Sequence, residues 1–184
     1  MRDLYNKVLS VELSTNRPKQ EVMRDLGDAA VGFGYEVVDT DMEKPWGGFI
    51  RFDTKDAGDF VANFFPGLDI NEARLGNDDI ELSPKFLLVA PGARLSWQRH
   101  GRRAERWSYI TSGAYHKSLD PNNQGELTFA QPGSVVQFQN GECHRLVGPE
   151  GGKYTLVAEI WQHVDPSNLS DESDIERLAD DFNR

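Results

Sequence analysis

The chain has 184 residues, enough for one domain with a real core, and its hydrophobic fraction of 38% with ten phenylalanines excludes a disordered chain. Thirty acidic against twenty basic residues give a net charge of −10, which argues against nucleic acid or an anionic membrane as a partner. A single cysteine closes no internal disulfide, the first residues lack the apolar run of a signal peptide, and no stretch approaches a membrane span, so a cytoplasmic protein is expected.

Residues 1–15 carry little pattern. Residues 18–30 predict a helix: Ser14, Thr15 or Asn16 offers a cap, Pro18 suits a first turn, and Val22, Leu26 and Ala30 recur at helical spacing before Gly32 and Gly34 end it. Short strands are expected at 35–38 and 49–53, an amphipathic helix or covering arm at 56–65, and a loop at 68–82 with a strand near Ile80. From Lys85 onward strands dominate, at 85–89, 95–100, 106–111, 114–119, 127–130, 135–138, 143–147 and 154–163. Ser112-Gly113 and Asn140-Gly141 read as tight hairpin turns. Short strands at this spacing point to an antiparallel sandwich or barrel. Residues 171–182 predict a final helix, capped by Ser170 or Ser173, acidic in its first turn, with Ile175, Leu178 and Phe182 as its apolar stripe.

The chemistry concentrates in two segments. Gln98 and His100 are two apart, so on a strand they project from one face; Glu105 follows after the turn-prone Gly101, and His144 lies in the second segment. An amide oxygen, two imidazoles and a carboxylate can hold a divalent transition metal. Arg94, Arg99, Arg102, Arg103 and Arg106 crowd one short stretch of an acidic chain, which fits a small anionic ligand such as a phosphate; pairing with surface carboxylates is the plainer reading. Cys143, next to His144, should point to the opposite face.

The spacing resembles the two motifs of the cupin superfamily. Gly92, Gln98, His100 and Glu105 match the first. Gly133, Gly141 and His144 match the second, with Gln139 in the proline place and Gly148 in the asparagine place. Within the cupins, Leu-Ser-Trp-Gln-Arg-His at 95–100 and Arg-Ala-Glu-Arg-Trp at 103–107 are similar to the signature of type II mannose-6-phosphate isomerases, in which glutamine also replaces the first histidine. Lys-Pro-Trp-Gly-Gly at 44–48, His144-Arg145-Leu146, Glu159-Ile160 and the terminal twelve residues extend the likeness over roughly 44–184.

The resemblance implies a mainly β fold, the double-stranded β-helix or cupin jelly roll, with N-terminal and C-terminal helices. Residues 1–43 would be an N-terminal helical arm packed on a cupin barrel of residues 44–184, one domain overall. It implies Gln98, His100, Glu105 and His144 as ligands of a divalent ion, zinc first and Mn, Fe, Co or Ni next. The activity implied is aldose–ketose isomerisation of a sugar or sugar phosphate through an enediol. Lys85 and Glu159 are the candidate bases, with His116 a third. Arg103 and then Arg145 are the candidate phosphate contacts, and Trp46, Trp107 and His116 candidate walls of the sugar site. With no nucleotidyltransferase segment ahead of the barrel, the stand-alone form is expected, as a homodimer. An iron-dependent cupin dioxygenase and a non-catalytic sugar-binding cupin are the competing readings.

Overall fold

The computed structural model describes residues 3–183; Met1, Arg2 and Arg184, the ends of the expected arm and barrel, lie outside the described residues. The chain opens with helices α1 (Asp3–Leu9) and α2 (Lys19–Gly32), then strands β1 (Val37–Asp41) and β2 (Gly47–Phe52). A 3-10 turn at Thr54–Asp56 leads into α3 (Ala57–Phe64) and the short α4 (Ile70–Ala73). Strands follow: β3 (Leu82–Val89), β4 (Trp97–Arg99), β5 (Arg103–Tyr109), β6 (Gly113–Ser118), β7 (Thr128–Ala130), β8 (Val135–Phe138), β9 (Cys143–Val147), β10 (Thr155–His163) and β11 (Glu176–Ala179).

The strands form two antiparallel sheets. The larger runs β1-β2-β3-β10-β5-β8 and the smaller β11-β4-β9-β6-β7. Alternation along β3 and β10 gives the large sheet two apolar faces. Phe86, Leu88, Leu156, Ala158 and Ile160 pack outward against Leu4, Val22, Leu26, Phe60 and Phe64 of the helices. Leu87, Val89 and Val157, with Trp107 and Phe138, face the small sheet and Leu146. The first face explains why the N-terminal helices are amphipathic. The second is the inside of the barrel.

Three expectations need correction. Residues 171–182 form no helix: the segment lies across the barrel and adds β11 to the small sheet beside β4. Its Asp and Glu residues, together with the preceding Ser170, instead bind the turn at 100–103 and the strands around it. Neither predicted hairpin forms. β5 pairs with β8 and β10 while β6 pairs with β7 and β9, so Ser112 and Gly113 carry the chain from one sheet to the other. A Cβ on Gly113 would stand 2.6 Å from the Tyr109 ring, so the crossing requires glycine. Asn140 and Gly141 make the second crossing, from β8 to β9, with Gly141 at φ +77°.

Phe60 is fully buried and its ring meets those of Phe52, Phe64 and Phe86 at 4.8–5.8 Å. It therefore couples α3 to the large sheet. Phe60→Ala should cost about 3–5 kcal/mol, read as a lower urea midpoint in a single transition; a separate early transition for the helices would show that they do not share the barrel's core.

Candidate metal centre

His100 leaves the end of β4, His144 sits in β9 beside it, and Glu105 reaches in from β5 of the opposite sheet. Gln98 and His144 are directly paired across β4 and β9, which puts both on the inner face. The chain between β4 and β5 crosses from the small to the large sheet at residues 100–102, so His100 and Glu105 converge from two sheets.

The three side chains meet closely. His100 Nε2 lies 3.1 Å from Glu105 Oε1 and His144 Nε2 lies 3.1 Å from Glu105 Oε2. All their candidate ligand atoms fall within 4.8 Å of one another, and all three residues are buried. Each imidazole spends its other nitrogen on backbone: His100 Nδ1 donates to the Asp174 carbonyl at 2.5 Å and His144 Nδ1 to the Glu142 carbonyl at 3.0 Å. That fixes the tautomer and leaves both Nε2 atoms as acceptors beside Glu105, as a metal ligand requires; His100 Nε2 also has Arg103 Nη2 at 3.2 Å, a contact that an ion would replace. Glu105 Oε2 and His144 Nε2 are buried without a hydrogen-bond partner. Such orphaned acceptors are costly unless something cationic sits between them. The donor set of two imidazoles and a carboxylate therefore fits a divalent ion.

The electrostatics agree. Burial lowers the His100 imidazole to about 3, so it stays neutral. Burial alone would raise the Glu105 carboxyl, but His100, Arg103 and His144 outweigh it and hold Glu105 well below the usual carboxylate range. Phe138 and Trp107 wall His144, with ring centroids 4.6 and 5.4 Å from the imidazole.

The other expected site residues divide. Gln98 stands in the cluster, but its amide oxygen accepts from Ser96 at 2.6 Å and its nitrogen faces His100 Nε2 at 3.3 Å. In this rotamer it steadies His100 rather than adding an oxygen to the ligand set. A cavity of about 70 Å³ opens beside the cluster, and Trp46, Lys85, Gln98, Arg103, Glu105 and Glu159 are among its walls. Lys85 and Glu159 are directly paired across β3 and β10, and Glu159 and Trp107 across β10 and β5, which lines the three up on the inner face. Trp107 Nε1 donates to Glu159 Oε1 at 2.8 Å. Burial pushes the Glu159 carboxyl up to about 8, with the Glu105 charge adding to it. Burial also lowers the Lys85 ammonium.

Arg103 is buried and already engaged. Its Nε donates to Glu105 at 2.8 Å, its Nη1 to Ser170 Oγ at 2.7 Å, and its guanidinium stacks 3.6 Å from the Trp161 ring. Its guanidinium, expected to meet a phosphate, is spent here on Glu105 and Ser170, while it also lines the cavity. Arg145 and His116, expected at the substrate site, stand elsewhere in this structure. They alternate away from His144 and Lys117, are paired with each other on the outer face of the small sheet, and do not line the cavity. Arg145 Nε donates to the Leu95 carbonyl and Nη2 to the Ala179 carbonyl; His116 Nδ1 lies 3.3 Å from the Gly125 carbonyl.

Asp174, Glu172 and Trp161 escaped sequence reasoning. Asp174 supplies the carbonyl that orients His100, and its carboxylate accepts from the Gly101 and Arg102 amides at 2.9 and 3.0 Å. Its helix-like context hid it. Trp161 carried a readable signal, two residues from Glu159 on the same strand and so on the same face.

The chain is similar to several known proteins. Over 115 residues, 58% of the chain, the sequence is 35% identical to the alginate biosynthesis protein AlgA of Pseudomonas aeruginosa; the match spans 21% of that protein. The oxalate decarboxylase of Bacillus subtilis superposes with a TM-score of 0.51 at 18% identity, over 76% of this chain and 30% of that one. A cupin 2 conserved barrel domain protein from Salinispora arenicola gives 0.44 at 15% identity, over 68% and 82%. No protein-family model matches the chain.

The raised Glu159 carboxyl has a consequence for stability. Below about 4.5, its ordinary value, the group is protonated whether the chain is folded or not. Between there and about 8 the unfolded chain releases the proton while the folded chain keeps it, so stability is lost as pH rises through that window. Glu159→Gln cannot ionise and keeps an acceptor for Trp107. Its unfolding free energy, from urea titrations, should exceed that of the native chain by an amount that grows from pH 5 to pH 8, on the order of a few kcal/mol in full; a difference flat across that range contradicts the assignment.

Proposed function

We propose that the chain is a member of the cupin superfamily and a metal-dependent aldose–ketose isomerase of sugars or sugar phosphates, most like mannose-6-phosphate isomerase. The observation that carries this reading is the pairing, in one cavity, of a buried His100–Glu105–His144 cluster with a Glu159 carboxyl poised near neutrality. The likeness to AlgA, 35% identity over 115 residues, supports the reading, although the match spans only 21% of that protein.

A divalent ion held by His100 Nε2, Glu105 and His144 Nε2 would supply Lewis-acid stabilisation of negative charge on a substrate oxygen. The chain's own groups do the rest. Isomerisation needs a proton taken from the carbon beside a carbonyl and returned to the neighbouring carbon. A carboxyl whose pKa is about 8 passes a proton in both directions near pH 7, because neither form is strongly favoured. Glu159 is therefore the base, held in place by Trp107 Nε1. Lys85, directly paired with Glu159 on the neighbouring strand, is the group to balance its charge as the proton moves. Trp46, Phe49, Leu87 and Leu95 form the apolar wall that thins water around these charges and strengthens their effect.

The same reading takes zinc first among the ions, with a homodimer in the cytoplasm. Among the described residues no helix is long and apolar enough to cross a membrane.

The test is conversion of mannose 6-phosphate to fructose 6-phosphate by protein loaded with Zn, Mn or Co. Turnover should vanish with chelator and return with metal. Glu159→Gln should lower kcat by about 10²–10⁴ while leaving metal content unchanged. Two imidazoles and a carboxylate also make the facial iron site of oxygenases; oxygen uptake by Fe(II)-loaded protein, with no ketose formed, would replace the isomerase reading.

A further inference from the structure

The mouth of the cavity is cationic in a chain of net charge −10. Lys85, Lys44 and Arg177 line it together. Lys85 is the unusual member. Its side chain is 3% exposed, and its ammonium lies 3.4 Å from the Trp161 ring centroid and 4.7 Å from that of Phe49. A desolvated ammonium among aromatic rings needs an anion. Among the described residues one carboxylate lies within 4 Å: Glu172 Oε1, at 2.5 Å.

Glu172 is an odd partner for so buried a cation. Its side chain is 54% exposed, and it comes from the segment that crosses the barrel mouth, not from a barrel strand. The neighbouring residues hold that segment without it. Asp174 binds the Gly101 and Arg102 amides, Ser170 binds Arg103 and Asp174, and the Ser170 amide donates to His163 Nδ1. Glu172 alone turns its carboxylate into the cavity. Arg177 stands nearby on the face of β11 that is paired with Gln98, and no carboxylate lies within 4 Å of it among the described residues. The space beneath, about 70 Å³, is well short of the roughly 300–1,000 Å³ of sites that hold small-molecule ligands.

We propose that Glu172 is a built-in competitor for the substrate's anionic group: its carboxylate occupies the seat at Lys85, and a phosphate or carboxylate of the ligand enters by displacing it, meeting Lys85 and also Arg177 on the wall of the same cavity. The proposal deepens the isomerase reading and rests on it for the sugar, but not for the anion. The exchange of one anion for another keeps Lys85 paired throughout, so the mouth opens without stranding a buried charge. Swinging Glu172 out also enlarges the cavity on the side where a ligand longer than the present space would extend. The occupied seat makes the site selective: a neutral ligand cannot replace Glu172, whereas a doubly charged phosphate outcompetes a single carboxylate.

Calorimetric titration of the full-length chain with inorganic phosphate tests this in the presence of chelator, so that neither metal nor turnover enters. Affinity is reduced by the fraction of molecules in which Glu172 holds the seat. Glu172→Gln should therefore bind phosphate about tenfold tighter than the native chain. Arg177→Ala, at an exposed position, should weaken binding in both backgrounds, and adding Lys85→Met to Glu172→Gln should abolish the gain. Acetate titrated in parallel identifies which anion the seat prefers. Glu172→Gln binding phosphate no tighter than the native chain, with its far-ultraviolet circular dichroism unchanged, overturns the proposal. Tighter phosphate binding without isomerase turnover leaves it standing and removes only the sugar reaction.

Discussion

A carboxylate taken fully out of water is the constraint on which the rest of this molecule depends. Glu105 lies between two sheets, flanked by two imidazoles and a guanidinium, and one of its oxygens has no hydrogen-bond partner. Burying such a charge costs several kcal/mol unless opposite charge and hydrogen bonds offset it. Arg103 offsets part. The remainder is directed at the point where the two imidazole Nε2 atoms converge, which is where a cation would complete the balance. Replacing the cluster with apolar side chains would fill the barrel more cheaply. Keeping it makes sense for a site that must bind.

The supports of that cluster reach across the whole chain. Asn140 and Gly141 dock on the His100 carbonyl, so the crossing into β9 is tied to the turn after β4. Asp174 orients His100 from a segment more than seventy residues away, and Arg103 clasps the same segment through Ser170 and the Asp171 and Asp174 carbonyls. Arg145 and Arg94 hold its far end through Asp181. The arginines that looked like a phosphate patch are in large part the fastening of this strap. Two of the cations left facing the cavity mouth, Lys85 and Arg177, come from a barrel strand and from the strap itself.

What could be read beforehand follows the range of the interactions. The ligand cluster was legible because strand alternation and two short spacings place His100, Glu105 and His144, and those spacings are local. The departures from the second motif also have local causes. The Gln139 amide donates to Glu142 Oε2 at 2.8 Å, a bond proline cannot make, and a Cβ at Gly148 would stand 2.4 Å from the Ala90 carbonyl oxygen. The strap was misread because its helical signals are real but weak, and a dozen charged and backbone contacts to distant residues override them. The crossings at Ser112-Gly113 and Asn140-Gly141 were misread because a turn residue shows that the chain bends, not which sheet it enters next. Arg103 and Arg145 were legible as arginines and not as partners of a strap then drawn as a helix.

The central claim is that His100, Glu105 and His144 hold one divalent ion. Anomalous diffraction at the zinc or cobalt edge, from crystals grown with the metal, tests it most directly. The expected result is a single strong peak about 2.0–2.2 Å from His100 Nε2, a Glu105 carboxylate oxygen and His144 Nε2. Saturating metal with no peak there, or Glu105 still closed on both imidazoles while the ion sits elsewhere, would contradict the account.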